Sequence, residues 1–145
     1  MREIKFRGYN RNTECFVYGS SKFSCTVVER HEYTLSDFWK LIETGAFEYA
    51  GQYTGLKDKN GVEIYEGDTV KLTNPKYQIQ KKVLIGEVIF SYASFGVDIK
   101  RVDEWTNYTE GVEPSQTIYF LTISGSNNIE VIGNIYENKG LVVNE

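Results

Sequence analysis

After residue 46 the sequence is dominated by short runs in which apolar and polar side chains alternate. Such runs occur at 69–73, 87–92 and 95–100, and Asn60-Gly61 provides a strong turn signal ahead of them. Alternation with a period of two is typical of strands that bury one face, and Asn-Gly favours tight turns because both residues tolerate positive φ. Short strands without helical patterns between them predict a small, closed or nearly closed β-barrel over residues 47–145.

The first 46 residues begin with three further strand-like segments, at 4–9, 15–18 and 23–28, separated by polar turns. Their β-branched and aromatic residues fit pleated, half-buried surfaces, so we expect a three-stranded meander. Cys15 and Cys25 lie on two of these segments. In a reducing cytoplasm we expect both to be free thiols packed as small core residues, with a hairpin disulfide as the less favoured alternative.

One helix is predicted, beginning after Thr34, whose side chain can cap it, and ending near Gly45. Apolar residues recur at the helical spacing i, i+3, i+4 and i+7, at Leu35, Phe38, Trp39 and Ile42. We expect this stripe, including Trp39, to pack in the core; a groove for a partner is the alternative.

These patterns predict a mainly-β (β-rich α+β) chain in two parts, a β-meander plus helix at 1–46 and a β-barrel at 47–145. A chain of 145 residues can bury about two-thirds of its unfolded surface. We therefore expect that folding needs no metal and no organic cofactor.

The N-terminus carries no apolar run after its charged residues, and no stretch is long and apolar enough to span a bilayer. We therefore expect a cytoplasmic protein. The net charge of −4 argues against general nucleic-acid binding, which needs an excess of basic side chains. The charge is uneven, because 71–82 carries four lysines and no acid whereas 103–113 carries four acids and no base.

Three stretches resemble the YopX family, small proteins of phages and prophages, mainly of Gram-positive bacteria. They read MREIKFR at 1–7, YTGLKDKNG continuing into IYEGDTV at 53–70, and IEVIGNIYEN at 129–138. The chain departs from the family pattern at Gly8-Tyr9 and at Lys139-Gly140. The resemblance implies an N-terminal β-rich part joined to a small barrel of SH3-like type. It implies no activity, because the family has no agreed biochemical function or catalytic residues.

The residues of these motifs have structural explanations that need no ligand. Gly67 can adopt a positive φ in a turn, and the carboxylate of Asp68 can accept hydrogen bonds from nearby backbone N–H groups. Gly133-Asn134 permits a bulge or a tight bend between strands.

Residues suited to catalysis are scarce. His31 is the only histidine, in a charged turn, and two cysteines with one histidine do not make a typical zinc site. Glu63, Glu66 and Asp68 form the densest acidic cluster, which we interpret as turn capping. We therefore expect no enzymatic activity; a small hydrolase is the least favoured hypothesis.

Two charged loops at 73–82 and 103–115 combine aromatic and charged residues, a combination typical of interface anchors. The candidate partner contacts are Lys76, Tyr77, Lys81, Lys82, Trp105 and Tyr108. The favoured hypothesis is a non-enzymatic module that binds a host or phage protein, with self-association through the opposed loop charges as a further option. The alternative is a nucleic-acid-binding barrel that uses Lys71 and the 76–82 loop, with Tyr77 as a stacking platform. Both loops could also be ordinary solvated connections.

Overall fold

The computed structural model describes residues 2–73, 83–103, 117–119 and 129–138. The chain divides into two compact units, Met1–Gly55 and Leu56–Glu145. The sequence places a boundary between 46 and 47, ahead of strand β4 (Glu48–Lys57), whereas the units meet between 55 and 56. The reason is that β4 pairs with the first strand of the chain.

The first unit is built on an antiparallel hairpin of β1 (Lys5–Asn10) and β2 (Cys15–Ser20). β4 pairs antiparallel with the other edge of β1, with a bulge between Arg7 and Gly8. β3 (Glu32–Thr34) pairs with β2 in parallel, so the strands follow the order β3-β2-β1-β4.

The predicted third strand of the meander, at 23–28, is wrong. A 3-10 helix at Val28–Arg30 follows this segment, and His31, with a φ of 57°, turns the chain into β3. The hydroxyl of Thr26 donates to Asp37 and accepts from the backbone N–H of Thr34. These hydrogen bonds hold Thr26 against the first turn of the helix, so residues 23–28 do not pair with the hairpin as a third strand.

The helix α1 (Leu35–Glu43) is confirmed with its cap, because the Thr34 hydroxyl accepts from the backbone N–H of Asp37. Phe38 is fully buried, but Trp39 is 39% exposed, so the expectation that Trp39 is a core residue is wrong. Its ring lies at the margin of the stripe, against Phe6 at 5.1 Å and Tyr49 at 5.9 Å between ring centroids.

The second unit contains β5 (Glu63–Tyr65) and an antiparallel sheet of five strands in the order β10-β6-β7-β8-β9. Its strands are β6 (Asp68–Thr73), β7 (Val83–Ser91), β8 (Ser94–Asp103), β9 (Thr117–Tyr119) and β10 (Ile129–Asn134). Its buried core is apolar and comprises Ile64, Val70, Leu72, Leu84, Val88, Val97, Ile99 and Ile129.

The mainly-β α+β class is confirmed, whereas the SH3-like barrel is not. In the described parts of the chain, β9 and β10 are the outer strands of an open sheet and do not pair with each other. Among the described residues, β7 and β8 pair along nine residues and β9 pairs with β8 along three. Within the same described residues, no helix combines the length and the apolar character that crossing a bilayer requires.

Candidate functional site

The six candidate partner contacts of the charged loops lie outside the described residues. They are Lys76, Tyr77, Lys81, Lys82, Trp105 and Tyr108. Lys71, which belongs to the nucleic-acid alternative, is half-buried on β6 opposite Ile85 and Glu130. The role of both loops therefore stays a prediction.

The residues considered for chemistry have structural positions. His31 is exposed and closes the 3-10 turn by donating its backbone N–H to Val28. In the residues that the structure describes, no group of three or more His, Cys, Asp or Glu side chains could hold a metal ion. Both cysteines are free; Cys15 is half-buried and Cys25 is exposed, so the expectation of a core position is wrong for Cys25.

Asp58, in the central family motif, is almost fully buried and organises the turn that follows it. Its carboxylate accepts from the backbone N–H groups of Asn60, Val62 and Val131 at 2.8, 2.9 and 2.9 Å. Burial alone would raise the pKa of Asp58, but these three hydrogen bonds together with the charge of Lys59 outweigh it and hold the pKa below its ordinary value. The residue therefore ties the 58–62 turn to β10 and needs no ligand to explain it.

The structural interpretation of the other motif residues is confirmed. Gly67 has a φ of +88°, and the carboxylate of Asp68 accepts from the backbone N–H of Tyr65 at 2.7 Å. The register of β10 shifts between Val131 and Gly133, as expected for a bulge. These motif residues therefore have structural roles in turns and a bulge.

The tip of the β7–β8 hairpin, which we define as residues 90–95, has an unusual turn. Ser91 and Ser94 form the last pair of the ladder, and only Tyr92 and Ala93 connect them. Both have positive φ, 50° and 59°, as in a type I′ turn. Asn-Gly is the usual sequence of such turns, because Asn and Gly adopt positive φ with little strain. Tyr92 and Ala93 adopt the same backbone conformation with more strain.

The hairpin tip is also aromatic and exposed. On the core-facing side of the hairpin, Val88 and Val97 are fully buried, and the next pair, Phe90 and Phe95, lies nearer the turn. The Phe90 and Phe95 rings pack edge to face with centroids 4.9 Å apart, yet Phe90 is 53% exposed. Tyr92 is 91% exposed. The tip is therefore an apolar projection whose burial on the chain itself is incomplete.

The stem of the hairpin carries charge on its other face, where Glu87 lies opposite Asp98. The Lys100 ammonium is 2.7 Å from the Asp98 carboxylate. Burial raises the pKa of Glu87, and the charges of Asp98 and Glu66 raise it further against the opposing effect of Lys100.

Sequence reasoning missed the hairpin tip, although it recognised both strands. The alternating runs at 87–92 and 95–100 are adjacent, which is the signal for a hairpin. The turn lacks Gly, Asn, Asp and Pro, so nothing in its composition marks Tyr92 as a turn residue rather than a strand residue.

Comparison with known proteins identifies a family and solved structures of similar fold. Residues 5–142 match the family model described as YopX protein. The chain is also similar to the crystal structure of protein EF1440 from Enterococcus faecalis, with 22% sequence identity and a TM-score of 0.48. That similarity covers 97% of this chain and 98% of the other. No curated protein matches the chain.

Proposed function

We propose, from the premise that the chain belongs to the YopX family, that it is a non-enzymatic module. It binds another protein through the tip of the β7–β8 hairpin. Membership of the family does not by itself assign an activity. In the setting that the family resemblance implies, it is a phage or prophage accessory protein. Its partner is then a host or phage protein in the bacterial cytoplasm.

The observation that carries this proposal is the exposed aromatic turn at Tyr92 and Ala93. A non-glycine residue in the left-handed region costs about 1–2 kcal/mol relative to the right-handed one. Tyr92, at 91% exposure, regains almost nothing by packing on its own chain. Strain that is retained without a folding benefit is a common property of functional sites.

The chemistry of the tip fits protein recognition. Residues 89–97 contain no charged side chain, so the projection can enter an apolar pocket without desolvating an ion. Tyrosine is enriched among residues that dominate binding energy, because it buries a large rigid surface at little conformational cost. Tyr92 is therefore the central anchor, and Phe90 lies beside it.

The proposal is tested by capturing the tagged chain, after mild chemical crosslinking, from the cells in which it is naturally made. Tyr92→Ser is compared with the unaltered chain and with Val28→Ser, which alters a 60% exposed apolar residue in the other unit. We expect a protein to co-purify with the unaltered chain and with Val28→Ser. Recovery of that protein should fall at least about tenfold with Tyr92→Ser, as for loss of a binding hot spot. Equal recovery with Tyr92→Ser would refute the proposal.

A further inference from the structure

We propose that the surface that receives the hairpin tip is an apolar pocket of a protein whose rim carries Lys or Arg side chains. This inference rests on the proposed function and adds the chemical nature of the partner. It is carried by the distribution of charge along the hairpin.

The hairpin separates apolar and acidic groups along its length. Phe90, Tyr92 and Phe95 form the uncharged end, whereas Glu87 and Asp98 form a pair of carboxylates on the stem. Lys100 makes its 2.7 Å ion pair with Asp98 and its charge also acts on Glu87, so two carboxylates share a single cation and the stem keeps an excess of negative charge. A partner that covers the tip therefore meets apolar groups first and negative charge next.

The carboxylates lie within reach of such a partner. Tyr92 lies five positions after Glu87, which corresponds to about 16 Å at about 3.3 Å per residue. A protein interface of ordinary size covers about 800 Å² on each partner, which corresponds to a radius of about 16 Å. Glu87 and Asp98 therefore fall at the rim when Tyr92 is the centre, and rim charges select partners of the opposite sign.

The surroundings of Glu87 favour a cationic group over any other. Burial raises the pKa of its half-buried carboxyl above the ordinary value, and the facing Asp98 carboxylate adds to this against the opposing charge of Lys100. A positive side chain brought to this point offsets the repulsion between the carboxylates, whereas an acidic one adds to it. The same charge disfavours the other apolar environment, a lipid surface, because bacterial membranes are anionic.

The inference can be tested with small hosts that reproduce an apolar pocket with a chosen rim. We suggest titrating the full chain with neutral, amino-substituted and carboxylate-substituted β-cyclodextrin, and following the ring signals of Tyr92 and Phe90 by NMR. At low salt we expect the amino-rimmed host to bind about threefold or more tighter than the carboxylate-rimmed one, with the neutral host between them. High salt should reduce this difference by screening.

Matched variants test whether the stem carboxylates cause the preference for the amino-rimmed host. Glu87→Gln should reduce the ratio between the two charged hosts, whereas Glu43→Gln, the same charge change on an exposed position of α1, should leave it unchanged. Tyr92→Ser should remove binding of all three hosts. Equal binding of the charged hosts, or equal effects of both charge variants, would overturn the cationic rim and leave the role of the tip standing.

Two further outcomes would overturn the inference. One is the absence of any Tyr92-dependent binding to the three hosts. The other is Tyr92-dependent binding to vesicles of phosphatidylcholine and phosphatidylglycerol, which would assign the tip to a membrane. Absence of host binding leaves the capture experiment unaffected, so the cationic rim can fail while the proposed function stands; vesicle binding would count against both.

Discussion

Replacing Tyr92-Ala93 with Asn-Gly should make the protein more stable while removing the proposed binding surface. Both residues have positive φ, at 50° and 59°, which Asn and Gly adopt more readily. Relief of the left-handed strain at Ala93 contributes about 1–2 kcal/mol. The extra flexibility of glycine in the unfolded chain takes back about 0.5–1 kcal/mol. Loss of the Tyr92 side chain costs little because it is 91% exposed. The net gain is about 1 kcal/mol.

The gain can be measured by thermal unfolding followed by circular dichroism. For a chain of about this size, 1 kcal/mol corresponds to a rise in Tm of roughly 2–4 °C. Gly61→Ala is the control of opposite sign, because Gly61 has a φ of +81° and open space around the position of a Cβ atom. That variant should lower Tm by a similar amount. If the Asn-Gly variant lowers Tm while Gly61→Ala also lowers it, the turn is not strained and the reasoning fails.

Two further predictions concern the fold. Asp58→Ala removes the acceptor of three hydrogen bonds from partly buried backbone N–H groups and should cost about 3 kcal/mol in urea unfolding, at about 1 kcal/mol for each bond. The pKa of Asp58 is lower in the folded than in the unfolded protein, so its charge adds stability at pH values above its unfolded pKa of about 4. That stability is lost as the pH falls through the folded pKa. Asp58→Asn should remove this dependence of the free energy of unfolding on pH. Phe38→Ala should cost about 3–5 kcal/mol and Trp39→Ala clearly less, since Phe38 is fully buried and Trp39 is 39% exposed; equal losses in urea unfolding would contradict this.

The parts of the fold that the sequence predicts are those set by local chemistry. The helix follows from its apolar period and the Thr34 cap, and the conformation of Gly67 follows from the absence of a Cβ atom. The hydrogen-bonding role of Asp68 follows from its place in a turn beside Gly67, because a carboxylate there can accept from nearby backbone N–H groups. Each of these features depends mainly on residues within one turn of chain.

The features that the sequence did not predict depend on distant contacts. β3 pairs in parallel with β2 only because the 3-10 turn redirects the chain, and an apolar stripe does not indicate that Trp39 lies at its margin. Closure of a barrel depends on how the outer strands meet, which alternation within single strands does not encode. The hairpin tip was missed because its turn residues contradict the usual turn chemistry.

The most direct test of the binding role is to place a photo-crosslinking phenylalanine derivative at position 92 of the full chain. Position 49 is the control, since Tyr49 is an exposed aromatic residue of the other unit. Irradiation of the cells that naturally make the protein should give one discrete adduct of higher mass from position 92. That adduct should be absent from position 49 and should be lost when Phe90→Ser is added. No adduct from position 92, or the same adducts from both positions, would contradict the account.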